Sequence, residues 1–212
     1  YLNLFLEDDN FIKCYKLASD RNSWNTDNKF RTYIACWAAN QVKDLKGDFV
    51  ECGVNKGGMV AAIIEYINFK NLDKKFYLFD TFSGIPENKI LVTERLTGIN
   101  KKNYKDVYIN TIEYFSKYKN IKLIKGELPE SLDLQQIDLI NFLSIDLNVP
   151  NVEIAVLEKL WDKVVVGGVV LLDDYSYSYK YAETYKHFKA FAKKENFEIL
   201  ELLTGQGMLI KK

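Results

Sequence analysis

Before residue 47 the apolar positions return at the spacing of a helix face. Phe11, Cys14, Tyr15 and Ala18 form one set; Phe30, Tyr33, Ile34, Trp37, Ala38 and Gln41 follow a polar start at Thr26 or Asp27. Two helices are predicted there. From Gly47 the rhythm changes to short apolar runs separated by helical stretches, the alternation of a βαβ chain with a largely parallel sheet. Strands are expected at Phe49–Cys52, Phe76–Phe79, Ile121–Ile124, Leu139–Ile145, Val169–Leu172, Phe197–Leu202 and Met208–Ile210. Helices are expected at Met59–Phe69, Tyr104–Tyr118, Val152–Val164 and Tyr179–Glu195. The pattern reads as one α/β domain, with residues 1–46 as a helical segment packed on a core formed by residues 47–212. The three prolines, Pro86, Pro129 and Pro150, mark no linker. The least regular stretch, Ser83 to Asn103, carries Lys89, Arg95, Lys101 and Lys102; it reads equally as a lid or as an ordinary solvated loop.

Composition narrows the partners. The chain has 212 residues, and its 29 basic and 29 acidic side chains cancel, so no bulk field draws it to nucleic acid or to an anionic membrane. Cys14, Cys36 and Cys52 are odd in number and form no CxxC pair, which argues against a disulfide framework or a zinc knuckle and suits a reducing cytoplasm. No apolar run reaches the ~18 residues of a membrane span, and the first residues lack the basic region and cleavage site of a signal peptide. The oligomeric state, including a homo-oligomer, is left open.

Three motifs carry chemistry. Asp48-Phe-Val-Glu-Cys-Gly-Val-Asn-Lys-Gly-Gly58 runs from a strand through a glycine-rich turn into an apolar helix, where glycines allow close backbone approach and helix N-terminal amides face outward. Its spacing, Gly53, Gly57 and Gly58, departs from the dinucleotide fingerprint, and Glu51 at the strand end suits a cationic sulfonium and amino group better than a pyrophosphate. A tight turn without a ligand is the plain alternative. In Phe76-Tyr-Leu-Phe-Asp80-Thr-Phe-Ser-Gly84, Asp80 lies at a second strand tip, where Rossmann-like folds accept ribose hydroxyls; it could equally cap the turn at Ser83-Gly84.

The third constellation joins Asp146-Leu-Asn148 to Asp173-Asp174-Tyr175 at the tips of two further strands. Three carboxylates there repel one another unless a cation intervenes, and clustered oxygen ligands suit Mg²⁺; helix or turn capping by Asp173 and Asp174 is the alternative. His187, the single histidine, borders the apolar face of its helix and is a weak catalytic candidate. Tyr175, Tyr177, Tyr179 and Tyr181 read as pocket aromatics or half-buried filler. Cys52 reads as a small buried apolar residue.

With these residues in place, the sequence from Gly47 to Lys212 resembles the macrocin O-methyltransferase (TylF-type) family. Four ordered segments carry the likeness: Gly47 to Gly58, Phe79-Asp-Thr-Phe-Ser-Gly-Ile-Pro86, Lys125-Gly-Glu-Leu-Pro129 and Gly167-Gly-Val-Val-Leu-Leu-Asp-Asp-Tyr175. The resemblance implies a Rossmann-like class I methyltransferase fold: a seven-stranded, mostly parallel sheet, helices on both faces, and a last pair of strands turning antiparallel around Thr204-Gly-Gln-Gly207. It implies S-adenosylmethionine held by Glu51, Gly53, Val54, Gly57, Gly58, Asp80, Thr81, Phe82 and Asp146, and Mg²⁺ held by Asp146, Asp173 and Asp174. The family's second acid of Asp-x-Asp is Asn148 here, a weaker carbonyl ligand, and the tyrosine that follows it is missing. The implied activity is O-methylation of a hydroxyl on a sugar or other small acceptor, with Asp146 as proton acceptor. Metal-independent transfer and a catalytically silent cofactor-binding protein stand as the alternatives.

Overall fold

The computed structural model describes residues 2–22, 27–90, 107–177 and 182–212. Two helices, α1 (Asp9–Asn22) and α2 (Lys29–Val42), precede strand β1 (Asp48–Cys52), helix α3 (Gly58–Tyr66) and strand β2 (Phe76–Asp80). Helix α4 (Tyr108–Phe115) leads to β3 (Ile121–Lys125), and β4 (Ile140–Ile145) leads through α5 (Pro150–Leu160) to β5 (Val164–Leu172). After α6 (Ala182–Lys194), the chain closes with β6 (Leu200–Glu201) and β7 (Gly207–Ile210).

The strands form one seven-stranded sheet in the order β3-β2-β1-β4-β5-β7-β6. The first five positions are parallel, whereas β7 runs antiparallel to both β5 and β6. This is the seven-stranded, mostly parallel arrangement that the resemblance implied. The chain moves outward from β1 to β3 and then returns to lay β4 on the other side of β1. Open α/β sheets bind ligands outside the strand tips at such a reversal of order.

Strand alternation sorts the core into two layers. Phe49, Phe76, Leu78, Phe142, Val169 and Leu171 pack in a cluster with Cys14, Ala18, Ala35, Ala38 and Ala39 of the N-terminal helices and with α3. Val50, Tyr77, Leu143, Val170 and Leu172 face the opposite cluster, with Val156 and Leu160 of α5 and Phe188 and Phe191 of α6. The rings of Phe49, Phe69, Phe76 and Phe142 lie with centroids 5.1–5.5 Å apart. Full burial of such a side chain contributes roughly 1.5–3 kcal/mol. Small alanines on α1 and α2 let those helices lie close to α3 and the sheet.

Several boundaries differ from expectation. The helix expected to run to Val164 stops at Leu160, and Val164 already begins β5, pairing with Ile140. Three consecutive valines favour the extended backbone there. The strand expected over Phe197–Leu202 contracts to Leu200–Glu201, because Phe197 packs instead against Trp161 and Phe191. The expected helix starts at Tyr104 and Tyr179, the cap at Thr26, Tyr181, and Arg95, Lys101 and Lys102 of the loop lie outside the described residues.

Candidate active site

The register of the sheet assembles the site. Cys52 pairs with Phe79 on one side and with Ile145 on the other, and Ile145 pairs with Leu172. Gly53, Asp80, Asp146 and Asp173 follow those positions and share one row along the strand tips. The Gly53 amide donates to the Phe79 carbonyl at 2.9 Å, the Asp146 amide to the Cys52 carbonyl at 2.8 Å, and the Asp173 amide to the Ile145 carbonyl at 2.9 Å. Gly53 has φ +94°, and a Cβ there would stand 1.8 Å from the Asp146 carbonyl oxygen. Only glycine permits this contact between the β1 and β4 tips.

A cavity of about 220 Å³ runs along this row, lined by Glu51, Gly53, Val54, Asp80, Thr81, Phe82, Asp146, Asn148 and Asp173 from the expected residues. Gly57, Gly58, Asp174 and His187 are not among its lining residues. The two glycines are spoken for by the protein itself. Gly57, at φ +76°, leaves room for the Phe115 ring, and Gly58 abuts Asn22, whose Oδ1 accepts the Gly58 amide at 2.9 Å. His187 sits on α6, with Nδ1 buried and without a hydrogen-bond partner among the described residues.

Asp80 organises the β2 end of the row. Its Oδ2 accepts the amides of Val54 (2.6 Å) and Asn55 (2.7 Å), and its Oδ1 accepts the amide of Phe82 (2.6 Å) and the Thr81 hydroxyl (3.4 Å). These bonds hold Phe82, an aromatic residue at φ +56°, in the left-handed region that its bulk disfavours. The expected ribose ligand is thus a carboxylate already engaged by backbone amides, and it fixes both loops of the cleft.

Glu51 faces the layer of α1–α3. It is 3% exposed, and its Oε2 has no hydrogen-bond partner among the described residues. Burial, then Asp173 and Asp80, push its carboxyl well above the ordinary range. Burial also lifts Asp146, joined by Asp173 and Asp174, while Arg31 opposes them. The Cys52 thiol is raised by burial, as expected of a small buried residue.

The loop after β4 is shaped by a residue the sequence reading missed. Glu153, buried in the first turn of α5, accepts the amides of Leu147 (3.1 Å) and Asn148 (2.9 Å) through Oε1. Asn148 adopts φ +60°, and its Nδ2 donates to Asp146 Oδ1 at 3.2 Å.

Arg31 of α2 was missed as well. Its Nη2 donates to the carboxylate of Asp173, to the Asp173 carbonyl at 2.6 Å and to Asp174 Oδ1 at 3.3 Å, while Nη1 donates to the Thr204 carbonyl at 3.2 Å. The other Asp173 oxygen accepts from Gln206 Nε2 at 2.8 Å. No single motif marks Arg31, since only the packing of α2 over the strand tips brings it there. Gln206 lies within the turn noted for its glycines. Tyr177 lies beneath the guanidinium at 4.7 Å, whereas Tyr175 is buried against Tyr185 and Phe188; Lys89 lines the cleft beside Glu130, 2.5 Å away.

This arrangement bears on the expected Mg²⁺ ligands. Both carboxylate oxygens of Asp173 already accept from protein donors, and Asn148 turns its donor, not its carbonyl oxygen, toward Asp146. Among the described residues no group of three or more His, Cys, Asp or Glu side chains is arranged to hold a metal ion. The residues as placed do not fit a directly coordinated divalent cation, which needs free oxygens at ~2.1 Å in octahedral array.

The comparisons point one way. Demethyldecarbamoylnovobiocin O-methyltransferase of Streptomyces niveus is 25% identical over 141 residues, 62% of this chain. The match spans about half of that enzyme, 54% of its length. Among solved structures, the O-methyltransferase NovP superposes with a TM-score of 0.77 at 20% identity, covering 95% of this chain and 98% of its own. CalS11, a calicheamicin methyltransferase also described as a TDP-rhamnose 3'-O-methyltransferase, superposes at 0.70 with 17% identity, covering 97% and 92%. These two likenesses establish the fold. The sequence model of the macrocin-O-methyltransferase (TylF) family matches residues 26–201, and the chain belongs to that family.

Proposed function

We propose that the chain is an S-adenosylmethionine-dependent O-methyltransferase acting on a hydroxyl of a small acceptor, a sugar or a similar natural-product group. The observation that carries this reading is the buried, unpartnered Oε2 of Glu51 beside the Gly53–Asp146 contact, an anion-forming group aimed at the reversal point of the sheet. A cationic amino acid portion of a ligand compensates such a carboxyl, whereas a pyrophosphate would be repelled. Family membership and the O-methyltransferase names of the relatives support the same reading.

The cofactor supplies an electrophilic methyl group on sulfur, transferred by direct displacement to the acceptor oxygen. The protein's task is alignment and proton removal. Glu51 holds the methionine end, and Asp80 fixes Val54, Asn55 and Phe82 around the adenosine end. Asp146, next to Gly53, takes the acceptor proton; its raised pKa makes it a stronger base than an exposed aspartate. His187 lies outside the cavity lining. Residues 1–46 and 47–212 act as one domain in this reading. A cytoplasmic setting fits the three buried free cysteines, and no helix among the described residues is long and apolar enough to cross a membrane.

Calorimetric titration with S-adenosylhomocysteine, followed by a methyl-transfer assay over hydroxylated acceptors including nucleotide sugars, tests the reading. Saturable binding with turnover is expected. Binding without turnover on any acceptor would favour a silent cofactor-binding protein, and unchanged melting at millimolar ligand would remove the cofactor altogether.

A further inference from the structure

We propose that the guanidinium of Arg31 is the built-in cation of the acid cluster, and that a divalent ion reaches Asp146, Asp173 and Asp174 only by displacing it. The inference concerns charge balance at the strand tips and stands whether or not the protein transfers a methyl group.

Asp173 and Asp174 meet beside Asp146 at the strand tips, in a space largely closed to water, where carboxylate charges cannot remain uncompensated. Among the described residues Arg31 is the cation in ion-pair contact with them. One nitrogen, Nη2, sits among the Asp173 carboxylate, the Asp173 carbonyl and Asp174 Oδ1, a ring of oxygens of the kind that would otherwise surround a metal ion. The Thr204 carbonyl and the Tyr177 face hold the rest of the fork, and the side chain is only 12% exposed. Burial opposes the charged form, yet Asp173 and Asp174 outweigh it and keep the guanidinium firmly protonated.

Asn148 supports the same balance. An aspartate at that position would add a charge that one guanidinium cannot match. The amide instead donates to Asp146 at 3.2 Å; with its oxygen turned inward it would repel the carboxylate. Arg31 and Asn148 thus do together, with one positive charge and one amide, what a divalent ion and a second acid would do.

The test is Mg²⁺ titration, read by calorimetry and by thermal unfolding, on the wild type, Arg31→Ala and Arg31→Ala/Asp173→Asn, with S-adenosylhomocysteine affinity measured in parallel. Wild type is expected to melt at the same temperature with millimolar Mg²⁺ or with chelator. Arg31→Ala is expected to melt lower, to recover on adding Mg²⁺, and to take up the ion about tenfold or more tighter than wild type. The double variant should lose that gain. Equal Mg²⁺ affinity in wild type and Arg31→Ala overturns the proposal, as does an Arg31→Ala protein that neither loses stability nor gains the ion. If Arg31→Ala does not fold, Arg31→Gln keeps a donor without the charge and is read the same way; its failure to respond to Mg²⁺ also overturns the proposal. Loss of S-adenosylhomocysteine binding in the wild type would remove the proposed function without touching this charge balance, whereas an Arg31→Ala protein changed only in S-adenosylhomocysteine affinity overturns the charge balance.

Discussion

Gly53 and Asp146 touch through their backbones: the carbonyl oxygen of Asp146 fills the space where any side chain on Gly53 would begin. The contact joins the two strands between which the sheet reverses its order. Gly53→Ala combines a left-handed φ, costing about 1–3 kcal/mol, with an overlap that backbone movement must relieve at a further 1–3 kcal/mol or so. Urea unfolding should register a combined loss of that size, with S-adenosylhomocysteine binding lost as well. A variant of wild-type stability would mean that the tips of β1 and β4 are not in this contact.

Asp80→Ala should loosen both loops of the cleft, because three backbone amides lose one charged acceptor. The expected cost is about 1.5–3 kcal/mol for a hydrogen bond to a charged group, the three not being additive. Since the carboxylate shapes the cavity, S-adenosylhomocysteine affinity should fall together with stability. Full retention of binding in a destabilised protein would separate the Asp80 network from the cofactor site.

Asn22 caps a helix to which it does not belong, accepting the first amide of α3 from the end of α1. Asn22→Ala should cost about 0.5–2 kcal/mol, the range for a lost N-terminal cap. Hydrogen exchange of the Gly58 amide should accelerate at the same time. An unprotected Gly58 amide in the wild type would contradict the bond.

Glu153 gives a pH dependence. Burial, followed by Asp174, pushes its carboxyl up to about 8 from the ordinary 4.5, against the two amides that lower it. The folded state therefore binds a proton that the unfolded state releases, so this stability is complete below about pH 4.5 and is lost as pH rises through about 8. Glu153→Gln should flatten the fall in stability across that window, while Oε1 still accepts from Leu147 and Asn148. Some slope should persist, since burial raises Glu51 and Asp146 in the same direction. Parallel stability–pH curves for the two proteins would show that Glu153 does not titrate there.

The elements that pack on themselves were legible before the structure. Alternating apolar runs located five of the seven strands to within a residue at each end, and the acids at the strand tips, Asp80, Asp146 and Asp173, could be named because a strand end in such a sheet has only one place to be. What the sequence hid depends on tertiary packing. Arg31 is one basic residue on a helix whose spacing reveals its buried face but not which strand tip its polar face meets. Gly57 and Gly58 look like ligand-cradling residues, yet their missing side chains make room for Phe115 and Asn22. A glycine-rich turn records that something approaches closely, and the visitor can be the protein itself. Glu153 escaped notice for a related reason: a helix-start acid is common, and its two amide partners precede the helix.

Arg31 and Gln206 meet at one carboxylate from far apart, the first lying 142 residues before Asp173 and the second 33 after it. Contacts of such sequence separation form late, since the intervening chain must be ordered before they can close. A folding intermediate that lacks the turn between β6 and β7 has neither Gln206 nor the Thr204 carbonyl in place to steady the fork, and its strand-tip acids repel. The row of strand-tip acids is therefore completed only once the turn between β6 and β7 has closed onto it.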